Sequence, residues 1–370
     1  MPAVALADYD PAWPARFETE RAALMSALGF CTAGGVVYDI EHIGSTAVPG
    51  LAAKPCLDIL IDAHPLPLQP DKLEALAALG YRYRGENGLP DGYYFVRGPH
   101  DVHLHVVSRD AGHWARRLVF RDYLRANADA KERYANLKRA LASRFPDDRT
   151  AYSEDKGPLI AELEHEAFAW HIETTGFEPV QTLARELAGV GVLWFVTSGW
   201  ALELFAGRPS RYHDDIDLGI FRQDAARLRA HLLARGWRLD KCVGDGEYSL
   251  WNTADLEPEV TQVHARRGDA FLDIVLSPRR ENAWVYKRDE EISRPLEHAI
   301  LHAGDLPYLA PELVLLFKSR STTATGESGP RTKDRADFDR IAPRLSDEQK
   351  NWLRSAVSRR EPTHPWLARL

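Results

Sequence analysis

Apolar residues fall into the same arrangement twice along the chain. Short apolar runs at residues 40–43, 56–61, 93–96 and 102–107 read as strands, and periodic stretches at 13–28, 71–79 and 114–145 read as helices. A second series follows, with strand-like runs at 193–197, 216–221, 248–251 and 270–276 and helical stretches at 181–189, 200–205 and 224–235. Landmarks in the two series keep step. Asp58 and Asp215 stand 157 residues apart, and Gly80-Tyr81-Arg82 stands 156 before Gly236-Trp237-Arg238. Further on, Asp101-Val-His-Leu-His105 aligns with Asp269-Ala-Phe-Leu-Asp273 at a spacing of 168. The second copy therefore holds an insertion of about 12 residues, in a region where loops vary freely. The chain is expected to be two tandem α/β domains, with the boundary in the turn-rich stretch 171–178, giving residues 1–171 and 172–370.

Composition narrows the class. With 370 residues, 45% of them hydrophobic and 27% charged, the chain can build two buried cores. A net charge of −7 removes the broad basic face of a sequence-independent nucleic-acid binder, so no bulk nucleic-acid binding is expected. The three cysteines, Cys31, Cys56 and Cys242, form no CxxC pair, so neither a disulfide framework nor a cysteine zinc site is indicated. Prolines and acids interrupt the first twenty residues, and no later run reaches the length of a membrane span. A cytoplasmic location, with no membrane contact, is expected. No signal bears on oligomeric state.

The chemistry concentrates in the second half. Val196-Thr197-Ser198-Gly199-Trp200 reads as a strand turning into a helix, and His213-Asp214-Asp215-Ile216-Asp217-Leu218 follows after a loop. Asp215 and Asp217, two residues apart in a strand, leave the same face and can share a cation. Paired carboxylates suit Mg²⁺, which leaves room for water and phosphate oxygens. A third acid, Asp273, lies in the apolar strand Phe271-Leu-Asp-Ile-Val-Leu276, where a charge is costly unless it has a purpose. Ser198 and Gly199 let backbone N–H groups approach a phosphate at a helix start. Arg208, Arg211 and Lys318 are candidate phosphate cations. Between Asp240 and Glu259 six acids face one Lys241, with Tyr248 and Trp251 interleaved, a composition that would suit a cationic sugar.

The pattern small-Gly-Trp, then Gly207-Arg208-x-x-Arg211-x-His213-Asp-Asp-Ile-Asp217, then Leu-Asp273, resembles the DNA polymerase beta-like nucleotidyltransferase superfamily. The resemblance is nearest to its aminoglycoside 2''-adenylyltransferase-like and lincosamide nucleotidyltransferase branch, and the stretches 310–318 and 331–338 resemble that branch's helical tail. It implies two tandem nucleotidyltransferase-type domains, each a small mixed sheet flanked by helices, with helical C-terminal extensions. It also implies Mg²⁺ held by Asp215 and Asp217, with Asp273 as general base or third ligand. Ser198, Gly199, Arg208, Arg211 and Lys318 would bind a nucleoside triphosphate, and a small-molecule hydroxyl would attack its α-phosphate. Ser198 departs from the branch's usual glycine.

In the first half, His42-Ile-Gly44-Ser45-Thr46-Ala-Val-Pro49-Gly50-Leu51-Ala-Ala-Lys54-Pro55-Cys-Leu-Asp58 resembles the GrpB family. Tyr9-Asp-Pro-x-Trp13, His103-Leu-His105-Val, Phe120-Arg-Asp-Tyr-Leu124, Tyr134 with Lys138 and Tyr152 with Lys156 extend that resemblance to about residue 171. Leu60 stands two residues after Asp58, and His105 takes the place of Asp273, so a two-metal site is not built. Gly44, Ser45, Thr46, Lys54, Asp58, His103 and His105 remain as a site for an anion or a single metal, or as a retained scaffold. The expected whole is an adenylyltransferase-like enzyme using ATP, with the first half as a binding or support domain. Alternatives are a protein or RNA acceptor, or a nucleotide-binding module without turnover.

Overall fold

The computed structural model describes the chain except residues 1–4, 30–38, 64–65, 87–91, 99–100, 109–112, 214, 245–246, 254, 268–269 and 320–329, and the side chains of residues 149 and 247. Cys31, Asp214, Asp245 and Asp269 lie outside the described residues, as does the side chain of Glu247. The chain divides into two compact units, Met1–Thr174 and Thr175–Leu370.

The first unit opens with α1 (Trp13–Leu28), which starts with a proline in its first turn and stops at Gly29, a left-handed residue whose N–H caps Met25. Its buried stripe, Trp13, Phe17, Glu20, Leu24 and Leu28, repeats every three to four residues and packs on the sheet. Then follow β1 (Asp39–Ile43), β2 (Leu57–Asp62), α2 (Pro70–Ala78), β3 (Arg82–Tyr83), β4 (Tyr93–Arg97) and β5 (Val102–Val107). Helices α3 (His113–Ala126), α4 (Ala128–Arg144), α5 (Arg149–Glu154) and α6 (Gly157–Thr175) complete it. The sheet order is β1-β2-β5-β4-β3, and only β2 and β5 are parallel. The expected helix over 114–145 is two helices. Asn127 breaks it by accepting the N–H of Ala130 as the cap of α4, a local bond that competes with continued helix. The helix α6, absent from the sequence reading, carries the chain past residue 171 to Thr175.

The second unit begins with α7 (Glu178–Glu186), β6 (Trp194–Val196), α8 (Ser198–Ala206), β7 (Ile216–Phe221) and α9 (Ala225–Leu233). Strands β8 (Arg238–Gly244), β9 (Glu247–Leu250), β10 (Gln262–Arg267) and β11 (Ala270–Ser277) follow. A small sheet of β12 (Arg279–Arg280), β13 (Ala283–Val285) and β14 (Ser293–Pro295) leads to α10 (Leu296–Ala299), β15 (Ile300–Ala303) and β16 (Leu306–Leu309). The chain ends in α11 (Pro311–Lys318), α12 (Thr332–Ile341) and α13 (Asp347–Arg360). The main sheet runs β15-β16-β6-β7-β11-β10-β8-β9. Within it, β6-β7-β11-β10-β8 repeats the first unit's order and its pattern of directions, with β7 and β11 as the parallel pair. The extra residues of the second copy form β9 and the loop after it. Both units are thus mixed sheets flanked by helices. Helix α11 is buried nearly all round, so its apolar residues join the core that α13 and β16 complete.

Candidate active site

Adjacent parallel strands bring the second unit's acids together. Asp217 on β7 lies in register with Asp273 on β11, and Asp215 immediately precedes β7. One carboxylate oxygen from each of Asp215, Asp217 and Asp273 lies within 4.8 Å of the others. At an effective dielectric of about 20, two ionised carboxylates at that separation repel by about 3 kcal/mol. Burial, Asp215 and Asp273 accordingly raise the Asp217 carboxyl well above its ordinary range, while a hydrogen bond from Ser198 and the charge of Lys318 pull the other way. Gln262, on the neighbouring β10, donates Nε2 to Asp273 Oδ2 at 2.7 Å. Three hard oxygen donors converging in one place fit a divalent cation such as Mg²⁺.

Beside the acids, β6 turns into α8 at Ser198, whose φ of 55° is left-handed and strained for a residue with a side chain. Gly199 follows, and a Cβ there would come within 2.4 Å of His213 Cε1 and 2.6 Å of Arg211 Nη2. Only glycine lets those two side chains close over the turn. His213 stacks on Trp200 at 4.6 Å and meets Glu203 Oε1 at 3.3 Å, and its burial lowers its affinity for a proton. Trp200 Nε1 donates to the Asp215 carbonyl at 3.0 Å, tying the helix to the acid-bearing segment.

The expected cations separate. Lys318, at the end of α11, is buried, with Nζ 2.8 Å from Asp334 Oδ1 and 2.9 Å from Asp337 Oδ2. Those partners belong to α12, and they direct the ammonium while its field still reaches Asp217. Arg211 stands 3.7 Å from Asp337 Oδ2. Arg208 is exposed beyond the far end of α8, about 13 Å of helix from Ser198. The sequence reading missed Gln262, Asp334 and Asp337. The last two carried a signal, since acids three apart on one helix face a common neighbour.

In the first unit, β2 and β5 set Asp58 in register with His103 and Leu60 with His105. His103 Nδ1 meets Asp58 Oδ1 at 3.1 Å. Burial alone would raise the Asp58 carboxyl, but that bond and the charges of His103, His105 and Arg117 hold it below its usual range. Gly44 has φ 70°, and a Cβ there would lie 2.3 Å from Asp58 Oδ2, so glycine is required for the carboxylate to approach the turn. Thr46 Oγ1 bridges His42 Nε2 at 3.0 Å and the Cys56 carbonyl at 3.2 Å. Ser45, Thr46, Lys54, Asp58 and His103 line one cavity of about 220 Å³. His105 is not in its lining. It is buried against Tyr94 with ring centroids 5.0 Å apart, and burial with the Arg117 charge lowers its pKa to about 3. Cys56, set aside in the sequence reading, brings its thiol within 4.8 Å of donor atoms on Asp58 and His103.

Residues 3–166 match the family model described as GrpB protein. A UPF0157 protein of Streptomyces coelicolor is 40% identical over 167 residues, covering 45% of this chain and 85% of the relative. The chain belongs to the GrpB family. Its second unit matches the aminoglycoside-2''-adenylyltransferase family model over residues 180–341. Among solved structures, GrpB from Enterococcus faecalis is 36% identical, covering 44% of this chain and 96% of its own, with a TM-score of 0.38. The structure of ANT(2'')-Ia in complex with adenylyl-2''-tobramycin is 21% identical, covering 49% and 97%, with a TM-score of 0.36.

In this adenylyltransferase-like unit the acids of the stretch 240–259, expected to suit a cationic sugar, divide into paired and exposed ones among the described residues. Asp240 is buried and bonded by Arg238 Nε and Nη2, both at 2.8 Å. Glu257 pairs with Lys241. Trp251 is a core residue, 4% exposed, with Arg229 over its ring. Asp255 and Glu259 remain exposed. Strand β8 folds Asp240 inward, which linear charge counting cannot register. Among the described residues no helix is long and apolar enough to cross a membrane.

Proposed function

We propose that the adenylyltransferase-like unit transfers a nucleoside monophosphate, AMP from ATP, to a hydroxyl of a small molecule in the cytoplasm, with an aminoglycoside-like cationic sugar as the acceptor class that the match of residues 180–341 suggests. The observation carrying this reading is the meeting of three carboxylates, Asp215, Asp217 and Asp273, beside the tight Ser198-Gly199 turn. Phosphoryl-type transfer asks a protein mainly for positioning and charge stabilisation. Asp215 and Asp217 would hold Mg²⁺, with Asp273 as third ligand or base. The ion, when bound, supplies Lewis-acid stabilisation of negative charge on the phosphates.

The chain's own groups do the rest. The Ser198-Gly199 turn offers backbone N–H groups to phosphate oxygens. Lys318 and Arg211 set positive charge beside the acids, and the pairs with Asp334 and Asp337 keep both in place. The acceptor oxygen bonds to the α-phosphorus as the bond to the pyrophosphate oxygen breaks, and the acceptor's proton leaves to Asp273 or to solvent. Gln262 fixes the Asp273 carboxylate so that one oxygen is held while the group faces the cluster. The GrpB unit acts as a binding or support domain, because Leu60 and His105 occupy the register held by Asp217 and Asp273 in its neighbour.

The test is pyrophosphate release from each of four nucleoside triphosphates with Mg²⁺, with and without aminoglycosides and lincosamides. Acceptor-dependent release with ATP, together with a product heavier by one AMP, is expected. Nucleotide binding with no release across the whole panel would overturn transfer to these acceptors.

A further inference from the structure

Three ammonium groups converge on the cavity of the GrpB unit from three separate stretches of chain. Lys54 precedes β2, Lys138 lies on α4, and Lys156 precedes α6. Lys54 and Lys156 both stand over the ring of Tyr152, at 4.1 and 4.6 Å from its centroid. Lys138 is 2% exposed, and its Nζ donates to Ser45 Oγ at 3.0 Å and to the Ala52 carbonyl. A buried ammonium is ordinarily matched by a carboxylate. Here its hydrogen-bond acceptors are neutral oxygens. Asp58 supplies the one carboxylate in the cavity lining among the described residues, and it is already bonded to His103.

Such a concentration of positive charge, in a chain whose net charge is −7, calls for an anion. We propose that this cavity binds a phosphorylated small molecule, with its phosphate or pyrophosphate end among Lys54, Lys138 and Lys156 and against Ser45. Lysine is a point-charge donor suited to phosphate, and three of them match a group carrying two or more negative charges. The volume of about 220 Å³ is smaller than the roughly 300 Å³ at which sites for whole drug-sized ligands begin, so the cavity takes the phosphate end and leaves the remainder outside. The nearby donors Cys56, Asp58 and His103 could by themselves hold a transition metal. Three ammonium groups in the same cavity oppose a lone cation, and this decides in favour of the anion. Burial and the charge of Lys156 lower Lys138 to about 7, while Asp58 pulls the other way, the direction expected where ammonium groups crowd together.

Calorimetric titration of the full chain with inorganic phosphate, pyrophosphate and ATP, in EDTA and without divalent ions, tests the proposal. The carrier for comparison is the Asp215→Ala/Asp217→Ala variant, in which the other unit's acids are removed. Pyrophosphate is expected to bind, at least tenfold more weakly in Lys54→Ala and in Lys156→Ala, and with affinity largely restored in Lys156→Arg. Lys138→Met is read alongside them, with circular dichroism to verify folding. Unchanged pyrophosphate affinity in both Lys54→Ala and Lys156→Ala would overturn the proposal. So would a site that ignores every phosphate compound but takes up Zn²⁺ in a way that Cys56→Ser abolishes.

Discussion

Each unit centres on one pair of parallel strands, and the two pairs carry opposite chemistry at the same register. In the second unit Asp217 faces Asp273 across β7 and β11, with Asp215 close by. In the first, Leu60 faces His105 across β2 and β5, and only Asp58 survives of the acids. What covers the strands explains the difference. Leu60 is fully buried in a small apolar cluster with Ile43, Val107 and Trp114, the last from α3. A carboxylate at that position would lose its water beneath this apolar cover. The cations differ as well. Lys318 is held in ion pairs by Asp334 and Asp337, whereas Lys138, of similar burial, has neutral oxygens as its hydrogen-bond partners. One sheet order therefore supports an acid-rich site suited to a metal and a lysine-rich site suited to an anion.

The strongest way to break this contrast is to remove the acids. Asp215→Ala and Asp217→Ala should each abolish pyrophosphate release while the protein stays folded, because they organise charge and do not fill a core. Wild-type turnover in either variant would remove the basis of the contrast. In the absence of a divalent ion, Asp217→Asn should also raise the melting temperature, since its raised pKa means that ionisation at neutral pH opposes folding.

Next in size is an attempt to convert the first unit. Leu60→Asp should destabilise the protein by about 3 kcal/mol or more, read as a lower denaturant midpoint, because it puts a charge beneath Trp114. A variant of unchanged stability that acquired a Mn²⁺ site would show that the apolar cover is not what separates the units.

Asp273→Asn sharpens the comparison inside the acid site. If Asp273 is the general base, the variant should slow transfer by about 10²-fold or more and leave nucleotide binding unchanged. Loss of Mg²⁺-nucleotide binding instead would make Asp273 a metal ligand.

The smallest expected effect is on pH dependence. Sulfate, which does not titrate near neutrality, is a suitable probe of the lysine site. Lys138, with Lys156, Arg139 and Asp58 around it, has a free-site pKa of about 7 and should gain proton affinity when an anion binds. Sulfate affinity should therefore be highest below pH 7 and fall by up to tenfold per pH unit above it, and Lys138→Met should flatten that slope. A flat profile in the unmodified protein would show that Lys138 does not meet the anion.

Much of the architecture was legible along the chain. The succession of short apolar runs places β1, β2, β4, β5, β7 and β11 within two residues of where they lie, because buried strands are written as short apolar runs. Strands β8 and β10 escaped notice. Arg238, Asp240, Lys241, His264 and Arg266 interrupt their apolar pattern, so hydrophobic periodicity does not mark them. The acid site was equally legible in part. Asp215 and Asp217 two residues apart, and Asp273 isolated in an apolar strand, announce a common purpose before any fold is known.

By itself, the sequence determined the tandem arrangement, the family resemblance of each half and the loss of two acids from the first copy. These are matters of residue identity and spacing, which local propensity and periodicity express directly. The tertiary structure alone decided which charges meet. It gave Lys318 to two aspartates on α12, carried Arg208 away to the far end of α8, and paired Lys241 with Glu257. It also gathered Lys54, Lys138 and Lys156, spread over a hundred residues of chain, around one cavity. Electrostatic partnership depends on distance in space and on burial, and neither is written in the order of the residues.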